Sequence, residues 1–75
     1  MTEEEVSSRV HDAFACDEVR VQDLKGDGRS FRVEVKSSIF EGKSLLAQHK
    51  LVQDIFAQDL ARDIIHALSL KTTSG

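Results

Sequence analysis

The sequence predicts an α+β fold with the order helix–strand–strand–helix–strand. Its small mixed three-stranded sheet is covered on one face by the helices. Three observations lead there. Apolar residues recur at helical spacing near the start and again from Leu45 to Leu60; two short alternating runs flank Gly26-Asp27-Gly28; a third alternating run closes the chain.

The first helix is expected from about Thr2 to Ala15. Thr2 and Glu5 have the spacing of a capping box, in which the hydroxyl accepts a helical N–H and the carboxylate reaches back. Glu3, Glu4 and Glu5 complement the positive end of the helix dipole, and Val6, Val10, Ala13 and Phe14 form its apolar stripe. Val19 and Val21 then alternate with Glu18, Arg20 and Gln22, as do Phe31, Val33 and Val35 with Arg32, Glu34 and Lys36. Gly26 and Gly28 suit the positive-φ positions of a turn, so these runs form a hairpin closed by Ser37 and Ser38. Gly42 breaks the chain before Ser44, an N-cap for the second helix. Leu45, His49, Val52, Ile55, Phe56 and Leu60 give that helix one apolar face, with a restart near Gln58. The last strand is expected over Ile64–Lys71, with Ile64, His66, Leu68 and Leu70 on its apolar side. Thr72-Thr73-Ser74-Gly75 reads as a polar end with nothing to bury. Three strands alone bury too little, so both helices must lie on one face of the sheet.

Seventy-five residues make one domain, 1–75, near the size where burial barely offsets chain entropy. With no Pro, Trp or Tyr and four Phe, packing falls mainly to Val, Leu and Ile. A 40% apolar and 31% charged composition fits a globular domain. No apolar run approaches the ~20 residues of a membrane span. The acidic start matches neither a secretory signal nor a transit peptide. One cysteine, Cys16, forms no internal disulfide, which fits a reducing, cytoplasmic compartment. A net charge of −3 argues against general nucleic-acid binding but leaves room for a local cationic patch.

Three segments carry a more specific signal: Phe40-Glu41-Gly42-Lys43, then Gln48-His49-Lys50-Leu51-Val52, then Ile65-His66-Ala67-Leu68-Ser69-Leu70-Lys71-Thr72. Together they resemble the BolA family, in which a Phe-x-Gly turn, a His-basic-x-Val helix and a final IHALS strand recur in that order. The match runs from Val19 to Thr72. The resemblance implies an α+β fold similar to the KH fold. It also implies a 2Fe–2S cluster shared with a monothiol glutaredoxin, with the isolated chain a monomer that holds no cofactor and the complex a heterodimer. His66 stands where the family places its cluster ligand, and the partner's active-site cysteine and bound glutathione supply others. The bland alternative for His66 is a half-buried strand-end histidine that donates a hydrogen bond.

A second His or Cys usually comes from the loop between the first two strands, yet residues 23–30 have neither. Asp23, Asp27 and Ser30 offer oxygen, a poorer match for iron–sulfur chemistry. Cys16 is a further candidate ligand, weighed against a buried, inert thiol. His49 matches the family's helix histidine and is read as a packing or hydrogen-bonding residue. The expected docking face comprises the last strand, the 23–30 loop and the second helix, with Lys43, Lys50 and Lys71 as polar contacts. Bacterial members of the family are described as DNA-binding transcriptional regulators, so nucleic acid is the alternative partner. The GXXG clamp of KH domains is absent here, since Gly42-Lys43-Ser44-Leu45 has only the first glycine. Nothing in the residue spacing suggests a nucleophile–base pair, and an enzyme is the least expected class.

Overall fold

The computed structural model describes residues 1–74. Its elements are α1 (Glu3–Ala13), β1 (Glu18–Asp23), β2 (Ser30–Lys36), a 3₁₀ turn (Ser38–Phe40), α2 (Leu45–Ile55), α3 (Ala57–Ala61) and β3 (Ala67–Thr73). The strands lie in the order β1-β2-β3, with β1 antiparallel and β3 parallel to the central β2. The expected α+β architecture and mixed sheet are therefore present. No helix among the described residues is long and apolar enough to cross a membrane.

Local chemistry sets the ends of these elements. Thr2 caps α1 through both bonds of the capping box: its hydroxyl accepts from the Glu5 N–H, and the Glu5 carboxylate accepts from the Thr2 N–H. The helix stops two residues earlier than expected. Phe14 is extended, and its ring meets Phe40 edge-on at 5.7 Å, while Ala13 is exposed rather than part of the buried stripe. Ser44 caps α2 by accepting from the Ala47 N–H, after Gly42 turns the chain at φ +77°. Ser37 is buried and donates its hydroxyl to the Ala15 carbonyl of the α1–β1 connection.

The core is one layer between the sheet and the helices. Val6 and Val10 of α1, Phe31, Val33 and Val35 of β2, Phe40, Val52, Phe56 and Ile65 are all buried in a single cluster. The long second helix is in fact two, interrupted at Phe56, two residues before the expected restart. Phe56 is fully buried, and the Arg9 guanidinium lies 4.9 Å over its ring. Arg9 also bonds Asp59 of α3 at 2.5 Å and the Ile55 carbonyl at 2.7 Å, so one α1 side chain joins α2 and α3. Leu45 departs from the expected apolar face, being 62% exposed beside an exposed Leu46.

The last strand differs most from expectation. It begins at Ala67 rather than Ile64, and Ile65, not Ile64, enters the core. Inward positions of β3 are Leu68, Leu70 and Thr72, whereas Ile64 and His66 are exposed. Nor are Thr72 and Thr73 a free tail. Thr72 is buried, pairs with Val35 and donates its hydroxyl to the Gln48 side-chain oxygen at 2.7 Å. Of the residues read as a polar end, Gly75 lies outside the described residues.

Candidate functional site

His66 sits where the chain enters β3, and the 24–29 loop of the hairpin lies beside it. The His66 N–H donates to the Arg29 carbonyl at 2.7 Å, and the Ala67 N–H to the same oxygen at 3.3 Å. Parallel pairing continues from Ser30 with Ala67. The loop expected to neighbour His66 therefore does so.

Loop shape comes from Asp23. Its carboxylate accepts from the N–H groups of Lys25, Gly26 and Gly28, and Gly26 and Gly28 adopt φ near +70°. A side chain at Gly28 would also strike the Met1 carbonyl oxygen at 2.6 Å. Asp27 accepts from the Arg29 N–H, and Ser30 is buried. Asp23 and Asp27 thus serve backbone turns, and the buried Ser30 is inside the sheet. Of the three oxygen donors weighed, Asp27 is the exposed one.

Approach to His66 from α3 is equally ordered. The Ile64 N–H donates to the Asp59 carbonyl and the Asp63 N–H to the Leu60 carbonyl, the paired bonds of a Schellman helix end. The left-handed residue of that motif is Asp63, φ +59°, the one non-glycine with positive φ among the described residues. Glycine is the usual occupant, since a side chain there costs about 1–2 kcal/mol. The Asp63 carboxylate accepts from the Arg29 guanidinium at 2.9 Å, and its other oxygen lies 3.5 Å from His66 Nδ1. Arg29 also donates to the Asp63 carbonyl. The His66 imidazole is 66% exposed, and its Nε2 has no hydrogen-bond partner among the described residues.

Other candidates lie elsewhere. Cys16 is at the opposite end of the sheet, where the Asp17 N–H bonds the Lys36 carbonyl. That is roughly 20 Å from the Ser30 end at the rise of a β residue. The structure does not bring it to His66. Its Sγ contacts the Phe14 carbonyl at 3.3 Å, and burial, helped by the Asp17 charge, pushes its thiol pKa up. Both point to the inert reading. Lys43 belongs to that far end as well: its carbonyl accepts from Gln48, which in turn holds Thr72. Lys71 projects from the open face of the sheet toward Glu34 at 3.9 Å, whereas Lys50 projects from α2 on the covered face. Lys43 is thus at the end of the sheet away from His66, and Lys71 and Lys50 project from different layers of the fold. His49 is on α2 with Nε2 buried and without a hydrogen-bond partner among the described residues, which agrees with packing more than with hydrogen bonding.

The family model described as BolA-like protein matches residues 3–75. This chain belongs to the BolA-like family. Arabidopsis thaliana protein BOLA2 is 38% identical over 72 residues, covering 95% of this chain and 75% of that protein. The solution structure of yeast Fra2 superposes with a TM-score of 0.79 at 33% identity, over 99% of this chain and 80% of that one. The crystal structure of a BolA-like protein from Babesia bovis gives 0.81 at 27% identity, over 96% and 83%.

The donor set of this BolA-like chain can be matched against the cluster that the resemblance implied. A 2Fe–2S cluster takes four ligands, thiolate or imidazole. No group of three or more His, Cys, Asp or Glu suited to a metal lies together among the described residues. One outward imidazole beside a carboxylate fits a single ligand to a cluster shared across an interface. Asp63 and Arg29 were not anticipated from sequence. The only signal was an acidic residue three positions before the histidine, which is indistinguishable from a solvated charge until the helix end is known.

Proposed function

We propose that this chain is an adaptor, not an enzyme, that docks a monothiol glutaredoxin in a reducing, cytoplasmic setting and shares a 2Fe–2S cluster with it, for cluster trafficking or for iron and redox sensing. The observation that carries this reading is the exposed His66 imidazole, with Nδ1 3.5 Å from a carboxylate oxygen and Nε2 without a hydrogen-bond partner among the described residues. Metal-ligating histidines characteristically carry such a carboxylate or carbonyl behind them. Leu24, 49% exposed, and Ile64, 43% exposed, lie at the same end of the sheet and offer apolar contact to a partner. When bound, the cluster supplies a redox centre whose potential is higher with an imidazole ligand than with thiolates alone. His66 would hold one iron, the 24–29 loop would shape the rim, the partner's active-site cysteine and its glutathione would supply two further ligands, and the fourth would come from another donor at the interface.

Anaerobic titration into cluster-loaded monothiol glutaredoxin, followed by visible circular dichroism, tests the reading. A new spectrum saturating at one-to-one stoichiometry is expected. The His66→Ala variant, which removes an exposed side chain, should keep the fold and lose that spectrum. An unchanged spectrum in the variant would refute the ligand assignment.

One observation favours the second reading, a nucleic-acid-binding regulator. The open face of the sheet carries Arg20, Arg32, Lys36 and Lys71 against Glu18 and Glu34, a cationic surplus on an acidic protein. Binding to duplex DNA that falls steeply with salt, and is lost on Lys36→Glu with Lys71→Glu, would place this reading first.

A further inference from the structure

We infer that Asp63, held by Arg29, is a positioning residue that fixes the His66 imidazole with its Nδ1 protonated and its Nε2 lone pair directed outward. The inference rests on the proposed ligand role of His66 and deepens it.

Two features of Asp63 and one of its neighbours converge on this role. It occupies the left-handed position of the α3 helix end, where glycine would be less strained. An aspartate in a conformation that disfavours most side chains invites a task for its carboxylate. That carboxylate is oriented on both sides: one oxygen takes the Arg29 guanidinium at 2.9 Å and the other faces His66 Nδ1 at 3.5 Å. The 3.5 Å separation is longer than a formed hydrogen bond, so the proposed positioning requires the two exposed side chains to draw together in solution. Finally, the main chain of the same arginine fixes the main chain of the same histidine through the His66 N–H to Arg29 carbonyl bond at 2.7 Å. Arg29 thus positions His66 twice, through its own backbone and through Asp63.

A carboxylate accepts hydrogen bonds and donates none, so a neutral imidazole facing it places its one proton on Nδ1. Its lone pair is then on Nε2, the atom with no partner among the described residues, ready for a metal. The loop that lacks a second soft ligand supplies this support instead, through Arg29.

Asp63→Gly separates positioning from folding. Glycine relieves the left-handed backbone and deletes only an exposed carboxylate, so the variant should melt at or above the temperature of the parent. The first readout is the His66 tautomer in the isolated protein, from ¹⁵N imidazole resonances at about pH 8, where an ordinary histidine is neutral. The parent is expected to show the Nδ1-protonated form, and Asp63→Gly the Nε2-protonated form. In complex with glutaredoxin, the same variant should release its cluster to a chelator about ten-fold faster. A parent imidazole protonated on Nε2, or a tautomer unchanged in Asp63→Gly, would overturn the inference. The tautomer needs neither cluster nor partner, so this result stands apart from failure of the proposed function, which the titration reads.

Discussion

Truncating Arg9 to alanine is expected to cost this small domain about 2–3 kcal/mol, a large fraction of the stability typical of its size. The estimate is built from what the side chain touches. Its two nitrogens donate to the Asp59 carboxylate at 2.5 Å and to the Ile55 carbonyl at 2.7 Å, while its Cζ stands 4.9 Å over the Phe56 ring. Hydrogen bonds to a charged group contribute roughly 1.5–3 kcal/mol each, and a cation over an aromatic ring adds about 0.5–1. The Asp59 side chain is only 13% exposed, so removing its partner strands a charge, a loss of about 3–5 kcal/mol when burial is complete. Arg9 itself is 38% exposed, and water competing for the guanidinium brings the sum down to the lower figure. In a domain of this length that corresponds to a fall of about 10–20 °C in melting temperature. Urea titration followed by far-ultraviolet circular dichroism gives the free energy directly. The double-mutant cycle with Asp59→Ala should return a coupling above about 1 kcal/mol. A loss below about 1 kcal/mol for Arg9→Ala, or additive single variants, would refute the view that this arginine ties the three helices.

Two further outcomes are expected. His49→Leu removes a buried Nε2 that lacks a partner and places a better helix former in α2, so it should stabilise the fold by about 1 kcal/mol, read as a higher urea midpoint. A lower midpoint would show that the nitrogen has a partner in solution. Cys16, its thiol pKa raised by burial and then by Asp17, should react with iodoacetamide at neutral pH more slowly in the folded chain than in urea. Because the folded state keeps this proton longer, the thiol's stabilising effect is complete below the unfolded value near 9.0 and is lost as pH rises through the higher folded value. Cys16→Ala should flatten that alkaline decline, and an identical decline in the variant would contradict the assignment.

The features legible in the sequence were those whose causes lie within a few residues. The capping box of Thr2 and Glu5, the glycine turn, the alternation of β1 and β2 and the Ser44 cap each depend on near neighbours, and each is present. The family motifs likewise placed His66 beside the hairpin loop, as the Arg29 carbonyl contact shows. What escaped depends on distant partners. Ile64 and Ile65 have equal claim to the core, and only the turn after α3 decides that Ile65 takes it, which reverses the assumed parity ahead of β3. Thr72 looked like tail because its partner, Gln48, comes from the other side of the fold. Lys43 seemed to share a surface with His66 because sequence order carries no information about which end of a strand a helix returns to. Arg9 and Asp59, fifty positions apart, had no common signal at all.

The mixed sheet also sets an order of assembly. The β1–β2 hairpin closes a short loop, Asp23 meeting Phe31, whereas β3 joins β2 by bringing Ala67 to Ser30 across thirty-seven positions. Loop-closure entropy makes the hairpin the early event and the parallel pairing the late one. Among the described residues β3 pairs with β2 alone, leaving its outer edge open, so its amides are expected to exchange with solvent before those of β2. His66 stands at the threshold of that late strand. A partner gripping it would therefore slow the opening of the whole strand, and protection of the β3 amides would report the docking even where no chromophore is present.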